Sequence, residues 1–104
     1  MALSKEQRQT WVMLANELQG IYIETDKLAR KSPATAVSDL ELQSVNRLIK
    51  LVKKSLKGDL FVDSLTEFVP AGDNAQYREV VLVLRQMIQA MNRHAPEYEQ
   101  IVIK

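Results

Sequence analysis

Residues 77–91, YREVVLVLRQMIQAM, constrain the fold more than any other stretch of this chain. On a helix, at about 100° per residue, Tyr77, Val80, Val81, Leu84, Met87, Ile88 and Met91 fall on one side. Val83 and Ala90 widen that side to roughly half the circumference. One neighbour cannot cover so broad an apolar arc. The segment therefore reads as the central helix of a small bundle, enclosed by several helices of its own chain or by a second subunit.

The rest of the chain supplies those neighbours. Three Gly and three Pro among 104 residues, with no sustained strand-like alternation, favour long helices. Ser4 with Gln7 has the form of a capping box, opening a first helix. Along it Trp11, Leu14, Leu18, Ile21, Thr25 and Leu28 recur at steps of three and four, flanked by Ala15, Tyr22 and Ala29, as far as about Arg30. Gly20, beside Ile21 and Ile23, weakens its middle and invites a bend. Pro33 ends it by disfavouring helical geometry at Ser32.

Ser38 with Glu41 is a second capping box. The helix after it turns Leu42, Val45, Leu48, Ile49, Val52 and Leu56 inward up to Gly58, a left-handed stop. Residues 59–68, DLFVDSLTEF, read as a short helix with Leu60, Phe61, Leu65 and Phe68 as its apolar side. Pro70 and Gly72 force a turn, and Asp73 with Gln76 caps the central helix, which runs to about Arg93. Residues 101–103 have strand propensity but no local partner. Short connectors join antiparallel neighbours. The expected fold is all-α: one domain over residues 1–104, an up-down helical bundle of three long helices plus one short helix, completed by dimerisation if apolar faces outnumber their covers.

Composition removes several function classes. The absence of Cys excludes disulfides, thiolate metal sites and cysteine nucleophiles. His94 is the only histidine, which excludes two-histidine metal sites; its place near the end of the central helix suits a cation at the negative end of the dipole. Gly20, Gly58 and Gly72 are too far apart to form a phosphate loop. No cofactor is expected. The N-terminus, MALSKEQRQT, lacks the apolar core of a secretory signal, and no run approaches the ~20 residues of a membrane span, so a cytoplasmic protein is expected. Fourteen basic and thirteen acidic side chains give a net charge of +1, which points to neither nucleic acid nor membrane.

Three local patterns remain. Asp59, Asp63 and Glu67 step by four, so on a helix their carboxylates could share a divalent cation, as in a small metal-dependent hydrolase. No Glu-x-x-Glu or Glu-x-x-Asp pair on a facing helix completes such a site, and a solvated acidic face is the simpler reading. Arg47, Lys50, Lys54 and Lys57, with Lys53 on the flank, form a basic row opposite the apolar stripe of the second helix. Such a row could bind the backbone of a nucleic acid or an anionic lipid surface, although no aromatic is interleaved to stack a base. An ordinary solvated face competes with that reading too.

Finally, Leu82 projects among Arg78, Arg85 and Gln89, Val12 and Ile23 point away from the main stripe, and Val83 and Ala90 lie outside the simplest shared seam. These five residues are the expected interface, with a second copy or another protein as partner. The acidic stretch 59–73 could add complementary charge across a homodimer. The expected function is a small non-catalytic helical interaction or oligomerisation module. The alternatives are a nucleic-acid-binding accessory protein using the basic row and, more remotely, the hydrolase.

Overall fold

A computed structural model of the chain describes residues 5–69 and 75–95. It is an all-α bundle of three long helices, α1 (Lys5–Lys31), α2 (Asp39–Ser55) and α4 (Tyr77–His94), with one short helix, α3 (Leu60–Asp63). Among the described residues the one β feature is an isolated bridge between Ala36 and Gln76. The broad arc of α4 is buried as its pattern requires: Val80, Leu84, Met87, Ile88 and Met91 are all but inaccessible. Leu14 and Leu18 of α1 and Val45, Ile49 and Val52 of α2 join them in one core.

Contacts at the helix ends fix the directions. Pro33, just past α1, meets Arg78 at the start of α4, and Tyr22 of α1 meets Arg85 of α4, so these two helices run antiparallel. The Tyr77 hydroxyl reaches Glu41 near the start of α2, whereas His94 reaches Asp59 just beyond the end of α2. Hence α2 and α4 are parallel, and the chain must travel back between them. Residues 65–69 make that return as an extended strap. Lys53 Nζ donates to the Leu65 carbonyl at 2.7 Å. Seven residues earlier on α2, Asn46 Nδ2 donates to the Phe68 carbonyl at 2.7 Å and its Oδ1 accepts from the Phe68 N–H at 2.8 Å. The paces agree, since seven helical residues rise about 10.5 Å and three extended residues span about 10 Å.

The α1–α2 connector does more than join two helices. The first N–H groups of a helix have no partner within it; here Tyr77 N–H donates to the Thr35 carbonyl at 3.0 Å and Arg78 N–H to the Pro33 carbonyl at 3.2 Å. Glu79 Oε2 takes the Gln76 N–H at 3.1 Å. The central helix is thus capped by residues more than forty positions earlier. Ser38 caps α2, accepting from Glu41 N–H at 3.2 Å while its hydroxyl donates to Glu41 Oε1.

Several local expectations change. α1 continues unbroken through Gly20, because packing against α4 outweighs the weak propensity there. Leu28 is 42% exposed while Tyr22 is buried, so the stripe of α1 rotates towards α4 in its second half. α2 ends at Ser55, and Gly58, at φ 100°, supplies the left-handed turn that follows. The short helix stops at Asp63 instead of reaching Phe68, because the chain straightens there to run back along α2. Its buried residue is Val62, at 0% exposure, and Leu60 is 88% exposed. The caps expected from Ser4 and Asp73, and the stretch 101–103, lie outside the described residues.

Candidate functional site

The basic row of α2 is largely engaged within the fold. Arg47 Nη2 pairs with Glu17 Oε2 of α1 at 2.6 Å, and Lys50 Nζ with Glu67 Oε1 of the strap at 3.6 Å. Lys53 is half-buried and holds the strap through the Leu65 carbonyl. Lys54 and Lys57 remain exposed, Lys54 beside a hollow formed with Glu6, Thr10 and Trp11. Three of the five cations therefore have a structural task.

The acidic ladder does not form. With α3 ending at Asp63, Asp59, Asp63 and Glu67 share no helical face, and each has its own partner. Asp59 is the N-cap of α3: Oδ1 accepts from the Phe61 and Val62 N–H groups, and Oδ2 meets His94 Nε2 at 2.8 Å and Arg93 Nη2 at 3.3 Å. The bond to His94, with the backbone bond from Val62 next, lowers the Asp59 pKa to about 2. Asp63 Oδ2 accepts from the Gly58 N–H, and Glu67 pairs with Lys50. Among the described residues no group of three or more Asp, Glu or His could hold a metal ion. The Asp59 cluster is a clasp that fastens the head of α3 to the last turn of α4. His94 accordingly reaches across to a neighbouring element, whereas the sequence suggests a cation serving its own helix end.

The five expected interface residues separate into two groups. Ala90 has 0% exposure and is not available to a partner, and Val83 is partly buried against the core. Both lie on the flank of α4 that also carries His94, where α3 and its neighbouring chain close over the helix. Val12, Ile23 and Leu82 are the opposite case, at 44%, 45% and 54% exposure. They sit on the outer surface of the α1–α4 pair, away from α2.

That outer surface includes the set that the sequence reading places around Leu82, namely Arg78, Arg85 and Gln89. On α1, Val12, Asn16, Gln19, Ile23, Asp26 and Arg30 recur at alternating steps of four and three; on α4, Arg78, Leu82, Arg85 and Gln89 do the same. Each set is a second helical seam, turned away from the buried one. Between them Arg85 donates from Nη2 and Nε to the Tyr22 hydroxyl at 2.9 and 3.2 Å, its guanidinium 5.8 Å from the ring centroid. Those hydrogen bonds raise the Arg85 pKa still further and hold a permanent cation at the centre of the face. Arg78, Leu82 and Arg85 line a shallow groove with Val81 and Glu79. Arg30 pairs with Asp26 at 2.9 Å. The other acids of α1, Glu6, Glu17 and Glu24, lie on the α2 side, where they line hollows or meet Arg47. Acids and bases therefore mix on both surfaces: Glu17 meets Arg47 on the α2 side, and Asp26 and Glu79 accompany Arg30, Arg78 and Arg85 on the outer side. No helix among the described residues is long and apolar enough to cross a membrane. No protein-family model, curated protein or solved structure matches this chain, so the surfaces described above are what bears on its function.

Proposed function

We infer that this protein is a non-catalytic helical interaction module that docks through the outer face of α1 and α4. The observation that carries the reading is the exposure of Val12, Ile23 and Leu82 on two adjacent helices at seam spacing. Isolated exposed aliphatics are ordinary on protein surfaces; here they recur at positions where helices receive knobs from a partner. The engagement of Arg47, Lys50 and Lys53 within the fold makes nucleic-acid binding by the α2 row the weaker reading.

A second copy is one candidate partner, since two-fold dimers dominate among soluble oligomers. Two measurements test the proposal together. Light scattering over a wide concentration range reads self-association directly. Quantitative co-purification compares the wild type with a Val12→Ser, Ile23→Ser, Leu82→Ser triple variant. The expected result is a dimer mass or a set of bound proteins that the triple variant loses while remaining helical. A monomer whose co-purifying proteins are the same in both forms would overturn it.

A further inference from the structure

We propose that the hollow between the second half of α1 and the first half of α2 binds a small alkylammonium ion, a primary amine on a short aliphatic chain. The hollow measures about 210 Å³, and its walls come from α1, α2, α4 and the connector between α1 and α2. Val37, Val45 and Val80, all buried, give it apolar surface. Sites for drug-sized ligands run from about 300 to about 1,000 Å³, so this one takes a smaller molecule. It lies on the α2 side of α1, apart from the outer face of α1 and α4, and a ligand there is independent of what docks on that face.

Three side chains set the chemistry. Glu24 of α1 and Glu41 of α2 both line the hollow, and no Lys or Arg among the described residues joins them there. Glu41 is held in place by hydroxyls and not by a cation: Ser38 donates to its Oε1 at 3.0 Å, and the Tyr77 hydroxyl lies 3.3 Å from both carboxylate oxygens. An ionised carboxylate offers about four acceptor sites, so capacity remains for a charged donor. Thr25 is the third group. At 6% exposure it is a buried polar residue that lines the hollow, and its hydroxyl has no hydrogen-bond partner among the described residues. Buried hydroxyls are normally satisfied. An ammonium group, with three donors and no acceptor, matches two carboxylates and a hydroxyl, while the valines take up its methylene chain. A divalent metal ion fits less well, because it asks for about six or more oxygen ligands, and among the described residues no group of three or more Asp, Glu or His could hold one. A neutral apolar ligand would leave the carboxylates desolvated without compensation.

The test is amide NMR of the full chain at neutral pH, titrated with butylammonium chloride and, separately, with butanol and magnesium chloride. Butylammonium should shift the Thr25, Val45 and Val80 amides saturably in the millimolar range, and butanol should bind at least tenfold more weakly. Glu24→Gln changes an exposed side chain, and Thr25→Val exchanges a hydroxyl for a methyl; each should weaken butylammonium at least fivefold. Glu6→Gln, near the start of α1, makes the same change of charge away from the hollow and should leave binding unaltered. Thermal melting verifies that the variants fold. Putrescine and a short peptide carrying one lysine then separate two sources of such an amine: tighter binding of putrescine assigns the site to a free amine, tighter binding of the peptide to a partner's side chain, and either supports the proposal. The absence of a saturable shift, equal binding of butanol, tighter binding of magnesium through Glu24, or insensitivity to both Glu24→Gln and Thr25→Val would overturn it.

Discussion

Asn46→Ala is the most informative single change, because its side chain makes two of the hydrogen bonds that hold the strap between the parallel helices α2 and α4. The Asn46 amide both donates to and accepts from the Phe68 backbone, at 2.7 and 2.8 Å, and Asn46 is 9% exposed. Each such bond contributes about 0.5–1.5 kcal/mol net. The Phe68 N–H and C=O, left unpaired in a half-buried position, either remain desolvated or lift away to water and uncover Leu65 and Phe68. The expected loss is therefore about 2–3 kcal/mol, a large share of the ~5–15 kcal/mol that stabilises a domain. With urea slopes of about 1–3 kcal/mol/M, the midpoint should fall by about 1–2 M. Hydrogen exchange supplies the local readout: the Phe68 amide, protected in the wild type, should exchange far faster in the variant. Asn46→Asp sharpens the test. It keeps an acceptor for the Phe68 N–H but sets a carboxylate oxygen against the Phe68 carbonyl, so it should destabilise at neutral pH and recover in part, relative to wild type, when protonated. An unchanged midpoint with unchanged Phe68 exchange in Asn46→Ala would refute the strap argument.

Two further outcomes test the core and the clasp. Leu84→Ala, at a fully buried position on α4, should cost about 2–5 kcal/mol through lost transfer energy and a residual cavity, measured by urea unfolding. Because the folded Asp59 pKa of about 2 lies below the ordinary 3.8, its contribution is fully present above about pH 4 and is lost as pH falls towards 2. Stability should therefore decline over that window, and Asp59→Asn, which keeps a capping oxygen but not the charge, should flatten this part of the decline; thermal melts from pH 5 to pH 2 read both.

Much of the fold was legible because it rests on strong periodicity. The arc of α4, the stripe of α2 and the Ser38 cap follow from residue spacing alone, and the predicted core residues Leu14, Leu18, Val45, Ile49, Val52, Val80, Leu84 and Ile88 are buried. What the sequence concealed depends on distant contact. Val62 is one apolar residue within a four-residue helix, too short for any period to show, and its burial follows from how α3 is pinned by Asp59 to His94. The helical reading of residues 59–68 failed because tertiary demand for a return path overrode local propensity. Nothing near Pro33 or Thr35 marks them as caps of a helix that begins at Tyr77.

The candidate surface was legible in part: spacing marks Val12, Ile23 and Leu82, but not that Ala90, named with them, is buried. A net charge of +1 describes a sum, whereas binding responds to how that sum is divided among faces. In sequence order the lysines of α2 form the conspicuous cluster, and the arginines at positions 30, 78 and 85 look scattered. Folding engages cations of both groups. Acids on α1 and the strap take up Arg47 and Lys50, and the Leu65 carbonyl takes up Lys53. The antiparallel pairing of α1 with α4, meanwhile, brings residues more than sixty positions apart onto one surface, where Tyr22 fixes Arg85. Partners thus engage cations on both surfaces, Arg47 and Lys50 on α2 and Arg30 and Arg85 on the outer face, and a count of cations does not separate the two. The functional reading therefore rests on the exposed aliphatics Val12, Ile23 and Leu82, not on a count of cations.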